Sequence, residues 1–325
     1  PTASCAACAR PTEARPVSVV PSEITRDVVA ARLRGEKADV AGAAFRFLLF
    51  ACLGLVLATL IALLWNVTSV GVPYLLDRGV VDFLTRFGSS RARVAGVYQG
   101  LVGTITHAVI VALVSFPLGR GTAFWMEEYA TDNWFTRLVT VVIRNLAGVP
   151  AIVYGLLGAA IFARGGLDWL TGGESTLSAG LTLSVLVMPI VVITSAEALR
   201  AVPASLREGG FGAGATRWEV VRTLVLPNAF PGILTGTILA LARALGEAAP
   251  LLLLGVKAST SGGDFGDLRG DFTSLPYLIA DWSKKPSAQG WPDNTQAAIV
   301  VTLVVILGIN AVGIVLRNRY EKKTR

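Results

Sequence analysis

Histidine is almost missing from this 325-residue chain: there is one, His107, beside three cysteines and two methionines. A protein zinc centre generally needs four ligands, often as two spaced pairs. Cys5 and Cys8 form a single C-x-x-C with no second pair, and Cys52 stands alone in an apolar run. No metal site and no Cys-His-carboxylate catalytic set is therefore expected. His107 is read as a hydrogen-bonded interior residue and Cys52 as a packing residue. Charge is scarce too, at 16% of residues against 53% apolar, which excludes an ordinary soluble domain. A G-x4-G-K-[ST] phosphate loop is also lacking, so this chain is not expected to bind ATP.

What is abundant is apolar sequence in long runs. Six are long enough to cross a hydrocarbon core, which takes about 20 helical residues. They run from about Phe45 to Trp65, Leu101 to Leu118, Leu138 to Ala163, Leu177 to Leu199, Phe230 to Val256 and Ala297 to Leu316. The fold class predicted is all-α, a polytopic membrane protein with six transmembrane helices. A polar tail (1–44) and a basic tail (317–325) flank a membrane domain (45–316). Six spans place both termini on one side. That side, with the long polar loop between spans four and five, holds nearly twice as many Lys and Arg as the other, so the positive-inside rule makes it cytoplasmic. The net charge of +7 then reflects topology first and attraction to anionic membrane lipids second; no nucleic acid partner is needed.

The first twenty residues are expected to be disordered. The tail does not show the order of charged, apolar and cleavage regions of a signal peptide, and Val28 to Gly35 reads as a short interfacial helix. On the outer side, Gly71 to Gly96 is expected to be a loop with Tyr74, Leu75, Phe83, Leu84 and Phe87 packing locally. Lys257 to Thr295 is a second outer loop, mobile over Ser259 to Gly270 and carrying a short surface helix at Leu275 to Trp282.

The polar loop, Glu197 to Pro227, holds Arg200, Arg207, Arg217 and Arg222 with Glu197, Glu208 and Glu219. The spacing predicts one helix from Pro203 to Phe211, a turn at Gly212 to Gly214, and a second helix from Thr216 to Val225. Gly214 suits a left-handed turn. Trp218, Val221, Leu224 and Val225 form an apolar face, and Pro227 ends the second helix. Glu208-Gly209-Gly210, Gly214 and Leu224-x-Leu226-Pro227 resemble the EAA loop, EAA-x3-G-x9-I-x-L-P, of the membrane subunits of ATP-binding-cassette importers. Gly209 and Gly210 stand where alanines are usual; each costs a helix about 1 kcal/mol, so a partner surface is expected to order the loop.

Three further stretches resemble the permeases of phosphate importers. One is Gly119-Arg120-Gly121-Thr122-Ala123-Phe124-Trp125-Met126-Glu127-Glu128-Tyr129-Ala130, physically a turn at the membrane interface anchored by Trp125 and Tyr129. The second is Asn145-Leu146-Ala147-Gly148-Val149-Pro150-Ala151-Ile152-Val153-Tyr154-Gly155, where Pro150 breaks the third span. The third is Ala242-Arg243-Ala244-Leu245-Gly246-Glu247-Ala248-Ala249-Pro250-Leu251-Leu252. Relatives often carry an arginine where this chain has Ile193.

Arg243 is expected near mid-membrane with Glu247 on the same helix face. Ionisable groups at that depth mark a substrate route or pin two helices together. Arg144 either lines a pathway or snorkels to the cytoplasmic surface.

The resemblance spans about Leu101 to Leu316 and is to the A-type permease subunit of bacterial high-affinity phosphate importers. It implies a type I ABC importer permease fold, multi-pass in the plasma membrane, with no enzymatic activity of its own. It further implies a homologous C-type permease, two copies of a cytoplasmic ATPase holding ATP and Mg, an extracytoplasmic phosphate-binding protein, and inorganic phosphate as cargo. Arg243, Glu247, Asn145 and Arg144 would belong to the substrate pathway. Glu208, Gly209, Gly210, Gly214, Leu226 and Pro227 would belong to the ATPase-coupling loop, about 200–228. The alternatives are a permease for phosphonate, molybdate or sulfate, a membrane enzyme acting on a phosphorylated lipid, and a proton-coupled transporter.

Overall fold

The computed structural model describes residues 40–255 and 267–324. The expected helix at Val28 to Gly35, the Cys5 and Cys8 pair and most of the mobile loop lie outside them. The described residues form helices and loops with no strand.

Contacts divide the chain after Leu63. The described part of the first unit is the opening of α1 (Val40–Arg78), which is apolar all round and has no packed stripe; Phe47 is 76% exposed. Cys52 is exposed there, so it is not the packing residue expected from sequence. The helix runs past the predicted end at Trp65 and through Pro73. Tertiary packing holds its last turns. Gly71 lies against the backbone of Gln296, Leu75 enters a core with Phe83, Trp282 and Trp291, and Arg78 donates to Asn294 Oδ1 at 2.8 Å. The connection expected from Gly71 therefore begins only at Gly79, followed by α2 (Val80–Thr85).

The second unit is built on three long helices. These are α3 (Tyr98–Phe124), continued by a wide π turn at Trp125–Tyr129; α7 (Thr176–Arg200); and α10 (Leu226–Gly246). Their core holds Val111, Leu183, Leu186, Val187, Val191, Ala240 and Ala244. Small residues set the separations: a Cβ at Gly180 would fall 2.7 Å from Ile110, and one at Gly236 would overlap Thr194. The hydroxyl of Ser115 crosses from α3 to the Ser184 carbonyl of α7, 2.8 Å away. Close approach and interhelical hydrogen bonds do in an apolar medium what burial does in water.

The third predicted span is two helices, α4 (Trp134–Ala147) and α5 (Ala151–Gly158, with a π turn at Ala159–Ala163), bent by 102° at the break before Pro150. The expected break is thus a sharp corner. From Ala151 to Ala163 the helix rises about 20 Å, short of the roughly 30 Å hydrocarbon core. The count is five membrane-length helices among the described residues, or six if the bent pair is one span. A short helix, α6 (Asp168–Thr171), leads into α7, which opens with a Ser175–Ser178 capping box.

The fifth span also departs from expectation. α8 (Ala204–Gly212) and α9 (Arg217–Val220) precede it, and α9 runs through a π turn (Val221–Val225) straight into α10. Pro227 therefore starts α10 and does not end the second helix of the polar loop. Leu226 donates to the Val221 carbonyl, and Pro227, which has no N–H, follows where the ladder changes register. At the other end the helix stops at Gly246 and resumes as α11 (Ala249–Leu253). α12 (Leu275–Trp282) forms as predicted but is no surface helix: Leu275, Pro276, Tyr277, Leu278 and Trp282 are buried. α13 (Trp291–Thr324) closes the described chain.

Candidate functional site

The polar segment folds as two short helices meeting at a glycine turn. Gly214 has φ +82°, the left-handed conformation that a Cβ resists. Thr216 and Glu219 then form a reciprocal capping box, satisfying two free N–H groups at the start of α9. Gly210 is buried where α8 meets α9; a Cβ there would stand 2.8 Å from Val220 and 2.9 Å from Leu224. Glu208, Gly209 and Gly214 are exposed, as is Leu226 at 37%. The buried face of the second helix is Val220, Val221 and Val225, packed on Leu199, Val202 and Ile233. Trp218, expected on that face, is 53% exposed, because α9 turns Val220 inward and leaves Trp218 at the edge, against Phe124.

The acidic pair at the end of α3, read from sequence only as part of an interfacial turn, holds this segment. Glu127 receives two bonds from Arg200, at 2.8 and 2.6 Å. Glu128, 7% exposed in its side chain, receives Arg207 at 2.9 Å. Arg207 also donates to the carbonyls of Leu199 and Val202, so one guanidinium ties the end of α7 to α8. Arg217 lies over the Tyr129 ring at 5.3 Å, and Trp218 meets Phe124 edge-on. Two adjacent carboxylates and a run with four arginines, in a chain where charge is scarce, were the available signal for this clamp.

Arg243 occupies the last turn of α10, where the helix dipole favours a cation. Its Nε stands 3.5 Å from a Glu247 carboxylate oxygen, with side chains 51% and 24% exposed. The pair is brought together, but not on one continuous helix face. Glu247 lies past the helix end with extended backbone (φ −83°, ψ 116°). It borders a small cavity, with room for about one water molecule, together with Thr104, His107 and Ser274. His107 is buried as expected, but its Nε2 has no hydrogen-bond partner among the described residues, and Phe272 meets its ring edge-on at 5.5 Å.

Arg144 and Asn145 are exposed near the end of α4. Arg144 lines a different cleft, with Ile193, Glu197 and Arg200. α4 itself is capped by Asn133. In its first turn Arg137 hydrogen-bonds Asp132, and that bond, with the nearby positive charge, holds the Asp132 carboxyl below its ordinary range. Arg120, assigned from sequence to a turn, is inside α3 and half-buried. Its Nη2 donates to Thr237 Oγ1 of α10 at 3.0 Å, and its charge lies 5.3 Å from the Phe116 ring centre.

Comparison with known proteins agrees with this architecture. The family described as Binding-protein-dependent transport system inner membrane component matches residues 115–325. The Phosphate transport system permease protein PstA of Mycobacterium leprae (strain TN) is 35% identical over 222 residues, 68% of this chain and 70% of the relative. PstA 1 of Mycobacterium tuberculosis (strain ATCC 25618 / H37Rv) is 32% identical over 270 residues, 83% of this chain and 85% of the relative. A chain of a bacterial ABC transporter involved in the import of the acidic polysaccharide alginate superposes with a TM-score of 0.61 at 16% identity, covering 86% of this chain and 98% of its own. A MetNI methionine ABC transporter chain superposes at 0.55, also at 16% identity, covering 69% and 95%. At that identity the structures speak for the fold alone, a type I ABC importer permease. With its membrane-length helices and a family match over most of its length, the chain belongs to the inner membrane components of binding-protein-dependent transport systems, as an ABC importer permease subunit.

Proposed function

We propose that this permease carries inorganic phosphate into a bacterial cell, with both termini and the polar segment in the cytoplasm. The path forms between this chain and a homologous C-type permease. Two copies of a cytoplasmic ATPase bind ATP and Mg, and an extracytoplasmic binding protein delivers phosphate. The relatives named phosphate transport permeases support the choice of cargo. The observation that carries the reading is Arg243, a guanidinium only loosely paired at 3.5 Å and about half exposed beside a break in its helix. A dehydrated anion needs charge-assisted donors, and a guanidinium offers a rigid fork that stays protonated. Glu247 offsets the attraction so that the anion is released. Asn145 and Arg144, beside a separate cleft, would meet the anion at another point of its passage.

The coupling surface is the exposed part of the polar segment: Glu208, Gly209 and Gly214, with Leu206, Phe211 and Trp218 supplying apolar area. Gly210 shapes it from within, and Leu226 and Pro227 begin the helix that transmits movement to Arg243.

Radiolabelled phosphate uptake by proteoliposomes holding the whole complex, with and without ATP, tests the reading. ATP-dependent uptake is expected, with loss of uptake but not of assembly in Arg243→Gln and slower turnover in Glu247→Gln. Normal uptake by an assembled Arg243→Gln complex makes the pair a structural pin. Uptake of sulfate, molybdate or a phosphonate in place of phosphate keeps the permease and changes its cargo. Turnover of a phosphorylated lipid by the purified chain alone would replace transport with enzymology.

A further inference from the structure

Among the described residues Arg120 has no acidic partner where one is needed. It lies inside α3, a membrane-length helix with no Asp or Glu anywhere from Tyr98 to Phe124. The two helices packed against that part of α3 carry one carboxylate between them. α10 has no acidic residue, and α7 has only Glu197, which is exposed and lines the cleft beside Arg144. The nearest carboxylates on its own chain segment, Glu127 and Glu128, are about two helical turns away and already hold Arg200 and Arg207. What Arg120 has is neutral. Nη2 bonds Thr237 Oγ1, the Phe116 ring faces the charge, and Nε is buried without a partner.

A cation in this position is costly unless an anion or water reaches it. The geometry leaves room for that. Nη1 is neither hydrogen-bonded nor among the fully buried unpaired atoms, so the guanidinium keeps one accessible corner. Its direction is set. Thr237 donates its own hydroxyl proton to the Ile233 carbonyl at 2.6 Å, so its oxygen can only accept from Arg120. Thr237 precedes Arg243 by six residues on the same helix, which puts the Arg120 contact about 9 Å from Arg243 along the axis of α10, toward the polar segment, and about 120° round it.

We infer that Arg120 is a second oxyanion-holding residue of the passage, reached after Arg243, with Thr237 as the residue that positions it. The inference rests on the phosphate reading above and adds a station to it. Arg243 is balanced by Glu247. Arg120 is balanced only when the anion is present, so it draws the anion from the first station and is emptied by movement of the helices.

The test is phosphate uptake by the complete complex in proteoliposomes, with complex yield and ATPase activity measured in parallel. Arg120→Gln and Arg120→Met are expected to assemble, hydrolyse ATP and lose about tenfold or more in uptake rate. Arg120→Lys keeps the charge without the fork and is expected to transport with a raised KM. Thr237→Val, which frees the guanidinium, is expected to cost about two- to fivefold. Wild-type uptake by Arg120→Met overturns the inference while leaving the phosphate reading in place. Failure of all three Arg120 variants to assemble overturns it too, because the residue is then a pin between α3 and α10. Absence of phosphate uptake by the wild-type complex overturns the phosphate reading, and this inference with it.

Discussion

Arg207 reaches from the polar segment to the buried carboxylate of Glu128, 2.9 Å away, and donates to two main-chain carbonyls at and just past the end of α7. The polar segment is thereby bolted to two membrane helices at once. Removing one member of a buried pair strands the other, at about 3–5 kcal/mol. Glu128→Ala should lower the unfolding temperature of the purified complex and release the ATPase. Glu127→Ala should do much less, about 1 kcal/mol or below, because Arg200 is half exposed. Equal effects of the two substitutions on thermal unfolding would contradict this ranking.

The adjacent glycines of α8 should respond oppositely. Among the described residues nothing stands within 4 Å of a Cβ at Gly209, so Gly209→Ala should stabilise the helix by about 0.5–1 kcal/mol. Gly210→Leu must push α8 away from Val220 and Leu224, at about 1–3 kcal/mol. Circular dichroism melts of the two variants, set beside ATPase co-purification, separate the cases. Destabilisation by Gly209→Ala would show that the exposed face needs glycine for contact with a partner.

Gly214→Val places a β-branched residue in the left-handed region, at about 1–2 kcal/mol, with no steric neighbour to blame. The expected outcome is a weakened ATPase association and reduced phosphate uptake. If both stay at wild-type levels, the segment from Glu208 to Gly214 is not the coupling surface.

Orientation is testable with single cysteines in a background lacking Cys5, Cys8 and Cys52. Ser90 and Ser205 are both exposed. An impermeant thiol reagent outside the cytoplasmic membrane should label Ser90→Cys and spare Ser205→Cys. The reverse pattern would place the polar segment on the wrong side for a cytoplasmic ATPase.

Much of this fold is legible in the order of residues. Apolar runs announce membrane helices because unpaired backbone in hydrocarbon costs several kcal/mol. The Pro150 corner follows from a missing N–H and the Gly214 turn from a missing Cβ; both are local effects, and both occur where expected. Pro73 and Pro227 show the limit of the same reasoning. Each sits in a continuing helix, one held by the packing of Leu75 and Arg78, the other placed where a π turn alters the register.

The pairings of charge required the folded chain. Arg243 and Glu247 are four residues apart and meet across the end of α10, not on one helix face as their spacing suggests, whereas Arg200 and Glu127 are separated by 73 residues and Arg207 and Glu128 by 79. Sequence by itself determined the medium, the class of fold and the conformation of the glycine turn, since these depend on composition and on backbone chemistry within a few residues. Only the tertiary structure decided which arginines are neutralised and that, among the described residues, Arg120 meets no carboxylate. Long-range electrostatics depends on which helices lie side by side, and packing alone settles that.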